Sequence, residues 1–157
     1  MTGSADLIVA VAAAGEAYAA FVAGLDAAAF HRRPSEDAWT VAELTGHVSE
    51  FLRTFASHAA RLAANPGSPV GRTLDDEGRL AALARVGDRS PAQAAGLVRE
   101  AVSGAVETLR SILPGGWEAA GVRVFNGETI TVAGLVETVI LDHMGQHLAQ
   151  ARQAAGG

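Results

Sequence analysis

Cysteine is absent from this 157-residue chain. That excludes a disulfide framework, a thiolate metal site and a cysteine nucleophile, so any thiol chemistry must use a thiol supplied from solution. Concentrated basic charge is also missing. The twelve basic residues are scattered, with only Arg32 and Arg33 adjacent, and the net charge is −5. A duplex-binding surface needs clustered Lys and Arg against phosphate, so nucleic acid is not an expected partner. No run is long and uncharged enough to be read as a membrane span. The apolar opening LIVAVAAAGEAYAAFVAGL has no basic leader, follows Asp6 and is interrupted by Glu16. It fits a first amphipathic helix better than a signal peptide. The resulting expectations are no membrane partner and a cytoplasmic location.

What is present is apolar and periodic. Hydrophobic residues make up 49% and charged residues 18%, which describes a globular chain and not a disordered one. One domain over residues 1–157, with a real core, is expected at this length. Residues 4–29 place Leu7, Val11, Tyr18, Phe21, Val22 and Leu25 on one stripe, giving helix one. After RRPSEDAW, helix two opens at TVAE, where Thr40 caps the start and Glu43 reaches back. Its stripe is Val41, Leu44, Val48, Phe51, Leu52, Phe55 and Leu62, and NPGSPVG ends it. A short helix is expected somewhere in residues 73–86. Helix three opens at SPAQ, with Ser90 as cap and Pro91 at the first helical position, where its missing N–H costs nothing. Leu97, Ala101, Ala105, Leu109 and Ile112 supply its buried face, and LPGG stops it.

The stretch VRVFNGETITV differs in period. Asn126-Gly127 between β-branched runs predicts a type I′ hairpin, which needs the bundle behind it because two strands alone are marginal. Helix four follows from about Thr131 to Ala154. The expected fold is all-α, a four-helix bundle with one long connection and a small β-hairpin before helix four.

Helix four carries the chemistry. At 3.6 residues per turn, Val132, Val136, Val139, Ile140 and Met144 share a face, with His143 and His147 in its middle. A buried imidazole needs partners for both ring nitrogens. A metal would satisfy one of them, with an acceptor taking the other. Two histidines hydrogen-bonded inside a bundle satisfy the same spacing, so the pair alone leaves both readings open. A zincin site is excluded, because Met144 stands where that motif needs Glu. A third ligand must come from another helix. His47, on the flank of helix two beside Leu44 and Phe51, is the candidate, and Gly46 removes bulk just before it. His58 shares that flank three turns on, too far along the axis to reach the same ion. His31, beside Arg32 and Arg33, reads as an exposed loop residue.

Taken together, AWTVAELTGHVSEF followed, a helix and a hairpin later, by NGETITVAGLVETVILDHMGQHLAQ resembles the DinB-like superfamily. GLDAAAFHRRPSEDAW also matches that family's approach to helix two. The superfamily includes the N-terminal domains of mycothiol-dependent maleylpyruvate isomerases and the bacillithiol S-transferases. The resemblance implies a divalent metal held by His47, His143 and His147. Some isomerase-like members have Glu at the first helix-four position, where this chain has His143. The two-domain isomerases continue into a second domain beyond the region resembled.

Three neutral imidazoles would leave a coordination position open, the mark of a catalytic rather than a structural site. Imidazole suits zinc, nickel, copper and iron, and softness does not separate them; zinc or nickel is expected. The activity implied is ionisation of a low-molecular-weight thiol cosubstrate for attack on a small-molecule electrophile, as an S-transferase or thiol-dependent isomerase. The alternatives are a metal-dependent hydrolase and a stress-associated metal-binding protein without turnover. Gln146 and Gln150 lie near the histidine face, Asp142 points away, and Glu50 is either solvated or a support for His47. A homodimer is expected from the family and from the flat, Ala-rich faces.

Overall fold

The structure, a computed structural model, describes residues 3–156. Its first helix, α1 (Ser4–Ala23), buries Leu7, Val11, Tyr18 and Val22. The stripe is as expected, but the single helix over residues 4–29 is not. Gly24 closes α1, and the Asp26 side chain accepts a hydrogen bond from Ala29 N–H to start a separate short helix, α2 (Ala27–His31). An Asp cap outcompetes continuation because it satisfies donors that a new helix start would otherwise leave orphaned. α1 is also long and apolar enough, by length and composition, to cross a membrane, contrary to the sequence expectation. Here its stripe is packed into the bundle.

Helix α3 (Val41–Ala64) starts with the expected reciprocal cap. Thr40 Oγ1 accepts from Glu43 N–H, and Glu43 accepts from Thr40 N–H. The long connection then holds a two-residue strand, β1 (Pro69–Val70), and α4 (Glu77–Ala82). Helix α5 (Pro91–Arg110) begins with Ser90 as cap, Pro91 in the first turn and Gln93 closing a second capping box. It packs against both α1 and α3. At the contact with α1, a Cβ on Gly15 would lie 2.1 Å from Val102 Cγ2, so any larger residue would force Val102 to shift.

A 3₁₀ turn (Pro114–Glu118) leads into β2 (Ala120–Arg123) and β3 (Thr129–Thr131), which pair antiparallel. Two expectations change here. The sheet has three strands, because β1 adds to β2 in parallel. The two-residue type I′ turn is also not formed. Such a turn needs positive φ at both Asn126 and Gly127, and only Gly127 has it, at +73°. The loop is wider, closed by Gly127 N–H to Arg123 O and Arg123 N–H to Glu128 O.

The last helix, α6 (residues 132–156), runs as α-helical Val132–Gly134, π-helical Leu135–Leu141 and α-helical Asp142–Gly156. A π stretch bonds i to i+5 and so takes in an extra residue. Everything after it is turned back by about 100° relative to a continuous α-helix. That rotation carries Met144 and Ala151 into the core and leaves His143 and His147 half-buried at the edge of the stripe. The plain 3.6-residue projection, which centres both histidines on the buried face, fails for this reason. Arg32 fastens the far end, its guanidinium donating to Ala154 O at 2.9 Å and Ala155 O at 3.0 Å. A cation there also complements the partial negative charge of the helix C-terminus.

Candidate metal centre

α3 brings His47 to the bundle interior, where it is 2% exposed. It sits deeper than a flank position implies. Gly46 makes room: a Cβ there would lie 2.1 Å from Ala82 O at the end of α4. Across the interface, α6 supplies the pair. His143 Nε2 lies 3.0 Å from His47 Nε2 and 2.9 Å from His147 Nε2. The three residues together offer ligand atoms all within 4.8 Å of one another, a group that could hold a metal ion. His58 is not in this group. Its Nδ1 accepts from Gly71 N–H at 3.2 Å, further along α3. His31 is exposed on α2 and meets Arg89 O.

Hydrogen bonding alone does not explain this cluster. An imidazole nitrogen has either one proton or one lone pair. His143 Nε2 faces two other Nε2 atoms and can satisfy only one of them well. A cation among the three would accept all three lone pairs, and nitrogens each about 2.0–2.1 Å from one zinc-like ion stand roughly 3 Å apart or slightly more. With its Nε2 lone pair turned inward, His47 carries its proton on Nδ1, which is buried without a partner among the described residues. Among the described residues the expected outer acceptor is present only for His147, whose Nδ1 meets Gln150 Oε1 at 2.9 Å.

The imidazoles are kept neutral. Burial, then the neighbouring His147 and the Arg79 and Arg72 guanidiniums, push His47 down to about 4. Burial and the other two histidines push His143 down to about 3. His147 is lowered too, mainly by burial, with Gln150 opposing. Neutral imidazole is the form that ligates.

Aromatic rings fix the orientations. Phe51 stacks on His143 at 3.8 Å between ring centroids, and Phe55 stacks on Phe51 at 4.2 Å. Trp39 meets His47 edge-on at 5.4 Å and lies nearly parallel to His147 at 6.4 Å. The sequence reading assigned Trp39 no role. Its available signal was its place just before the capping Thr40, where an apolar residue packs back along the helix it precedes.

His47 and His143 form one wall of a cleft of about 180 Å³, bounded by the Arg72–Leu74 segment, α4 and the hairpin. Three guanidiniums line it, from Arg72, Arg79 and Arg123, but among the described residues no carboxylate does. Glu50, left open between solvent and support, is neither solvated nor touching the histidines. It grips Arg72 with both oxygens, 2.6 Å from Nη2, and accepts from Thr54. Burial pushes its carboxyl up, but the Arg72 and Thr54 hydrogen bonds outweigh that and hold it below the usual range. Glu43 serves the cap and pairs with Arg33.

Residues 10–151 match the DinB superfamily. The chain belongs to the DinB superfamily. Among solved structures this DinB-superfamily chain is similar to YfiT from Bacillus subtilis, at 15% identity and a TM-score of 0.74, covering 96% of this chain and 85% of that one. YfiT is described as a probable metal-dependent hydrolase with an unusual four-helix bundle topology. At that identity the likeness establishes the shared fold. No curated protein matches the chain.

Proposed function

We propose that this chain is a divalent-metal-dependent enzyme that activates a low-molecular-weight thiol, as an S-transferase or thiol-dependent isomerase, with His47, His143 and His147 as ligands. The observation that carries the metal is the mismatch at His143 Nε2, which hydrogen bonds cannot resolve and a cation would. When bound, zinc or nickel would supply stabilisation of an anionic nucleophile at the open side of the site. Trp39 and Phe51 hold the imidazoles in place, and Gln150 fixes the tautomer of His147.

A thiol is favoured over water by the absence of a carboxylate from the cleft. A free thiol ionises near pH 8.5, so it needs little help, whereas water must lose a proton from a pKa of about 15.7 and gains more from a general base. Glu50, a carboxylate whose charge is felt at His47, is committed to Arg72 and Thr54. Hydrolysis is the second reading, supported by the description of YfiT. A cytoplasmic location, where such thiols are kept reduced, belongs to the same reading.

The test is a pH–rate profile of conjugation between a generic electrophile and bacillithiol, mycothiol or glutathione. Wild type, metal-free protein and His47→Ala are compared. The metal-loaded wild type is expected to react faster at neutral pH, with the advantage lost in the other two. Identical profiles with every thiol would leave hydrolysis or metal storage as the function.

A further inference from the structure

The cleft's three guanidiniums are not equivalent. Arg72 is neutralised by Glu50, and its Nη1 also lies 3.3 Å from Asp76 Oδ1. Arg123 has Glu128 at 3.7 Å. Among the described residues no carboxylate pairs with Arg79, which nevertheless lies close enough to all three histidines to disfavour their protonation. Its head group is held in place without being neutralised: Nη1 donates to Leu74 O at 2.8 Å, and the guanidinium lies over the Trp39 ring, 5.3 Å from its centroid. A guanidinium has five N–H donors, so this anchoring leaves donors free toward the cleft. A half-buried cation without a counterion beside the reactive centre is costly unless an anion completes it.

The remaining walls are apolar. Phe51, Phe55, Leu135 and Val139 line the interior, while Leu74 and Phe125 stand at the rim, 72% and 76% exposed. Exposed apolar side chains at the mouth of a cleft mark a surface completed by a ligand. The guanidinium fork matches a planar oxyanion in two-point contact.

We propose that Arg79 is the specificity-determining residue of this cleft, and that the substrate is a small organic carboxylate with an apolar or aromatic body. The carboxylate docks on Arg79 and the body lies between the phenylalanines and Leu74. The proposal rests on the three-histidine group being the reactive centre, which it takes as the point toward which the body is directed.

Benzoate, benzamide and acetate separate the elements of the proposal. Binding is measured by titration calorimetry on the protein as purified and again after chelation, with metal content determined on the same samples. Benzoate is expected to bind in both states, and at least about tenfold more tightly than benzamide or acetate. A charge-assisted pair of this kind is worth about 1.5–3 kcal/mol, so Arg79→Gln should weaken benzoate by roughly tenfold or more and leave benzamide unmoved. Arg79→Lys should fall between, since an ammonium keeps the charge but loses the fork. Phe125→Ala, at an exposed position that leaves the fold intact, should weaken benzoate and not acetate.

Equal benzoate affinity in wild type and Arg79→Gln would overturn the proposal. So would benzamide binding as tightly as benzoate, benzoate binding that needs the metal but not Arg79, or no benzoate binding at millimolar concentration. Failure of the metal-centre reading shows separately, as samples without metal, and leaves the Arg79 comparison intact.

Discussion

His143 Nε2 lies within 3.0 Å of two other imidazole nitrogens, so each histidine contributes through the others rather than alone. Replacing His143 and His147 by Ala should reduce metal content, read by elemental analysis of untagged protein, from about one ion per chain to background. His58→Ala should leave it unchanged, because His58 faces Gly71 and not the centre. Retained metal in the double variant would remove the site. The same burial makes metal-free protein acid-sensitive. His47 titrates near 4 when folded against an ordinary 6.5, so the unfolded chain takes up its proton first. The histidine contribution is therefore complete above about pH 6.5 and is lost as pH falls from there toward about 4. Urea midpoints of apoprotein should drop between pH 7 and pH 5. Glu50, held below its usual range, adds its own loss only at lower pH.

The π stretch Leu135–Leu141 decides where the last helix points its histidines. Nothing in a 3.6-residue projection reveals such a stretch, because it comes from packing: Val132 before it, Leu135 and Val136 at its start, and Met144 and Ala151 after it must all face the core. Removing one residue from within it lets the helix close in α geometry with both ends still facing as they do now. Deleting the exposed Thr138 should therefore preserve metal content and helicity by circular dichroism. Inserting one alanine beside it should turn the pair about 100° away and abolish binding. The reverse pattern would show that the stretch does not set the register. Local signals were legible elsewhere. Thr40–Glu43 and Ser90–Gln93 cap as read, since capping depends on residues three apart. β1 and the position of Arg79 were not legible, because both depend on where the long connection lies against distant elements. The hairpin turn departs from the local preference of Asn126-Gly127, because Asn126 keeps negative φ in the wider loop.

At the level of the whole molecule, four amphipathic stripes sufficed for the bundle, whereas the convergence of His47 with the α6 pair was legible only with the family resemblance added to the candidate histidines. The cleft wall was beyond reach, being assembled from a helix of six residues and a hairpin loop. A homodimer, proposed from the Ala-rich faces, should give twice the chain mass by light scattering at micromolar concentration; the monomer mass throughout would count against it. The absence of cysteine also acquires a second meaning here. His47 and His143 stand 96 residues apart in sequence, so an ion between them is a reversible cross-link tying the early half of the chain to its last helix. Among the described residues the other ties between those halves are packing and the Arg32 hydrogen bonds to Ala154 O and Ala155 O. Ion at a hundred times its dissociation constant stabilises the folded state by about 2.7 kcal/mol, worth roughly 5–10 °C in a domain of this size. Scanning calorimetry with and without a chelator should show that gap, and an unchanged Tm would mean the halves are held without help from an ion.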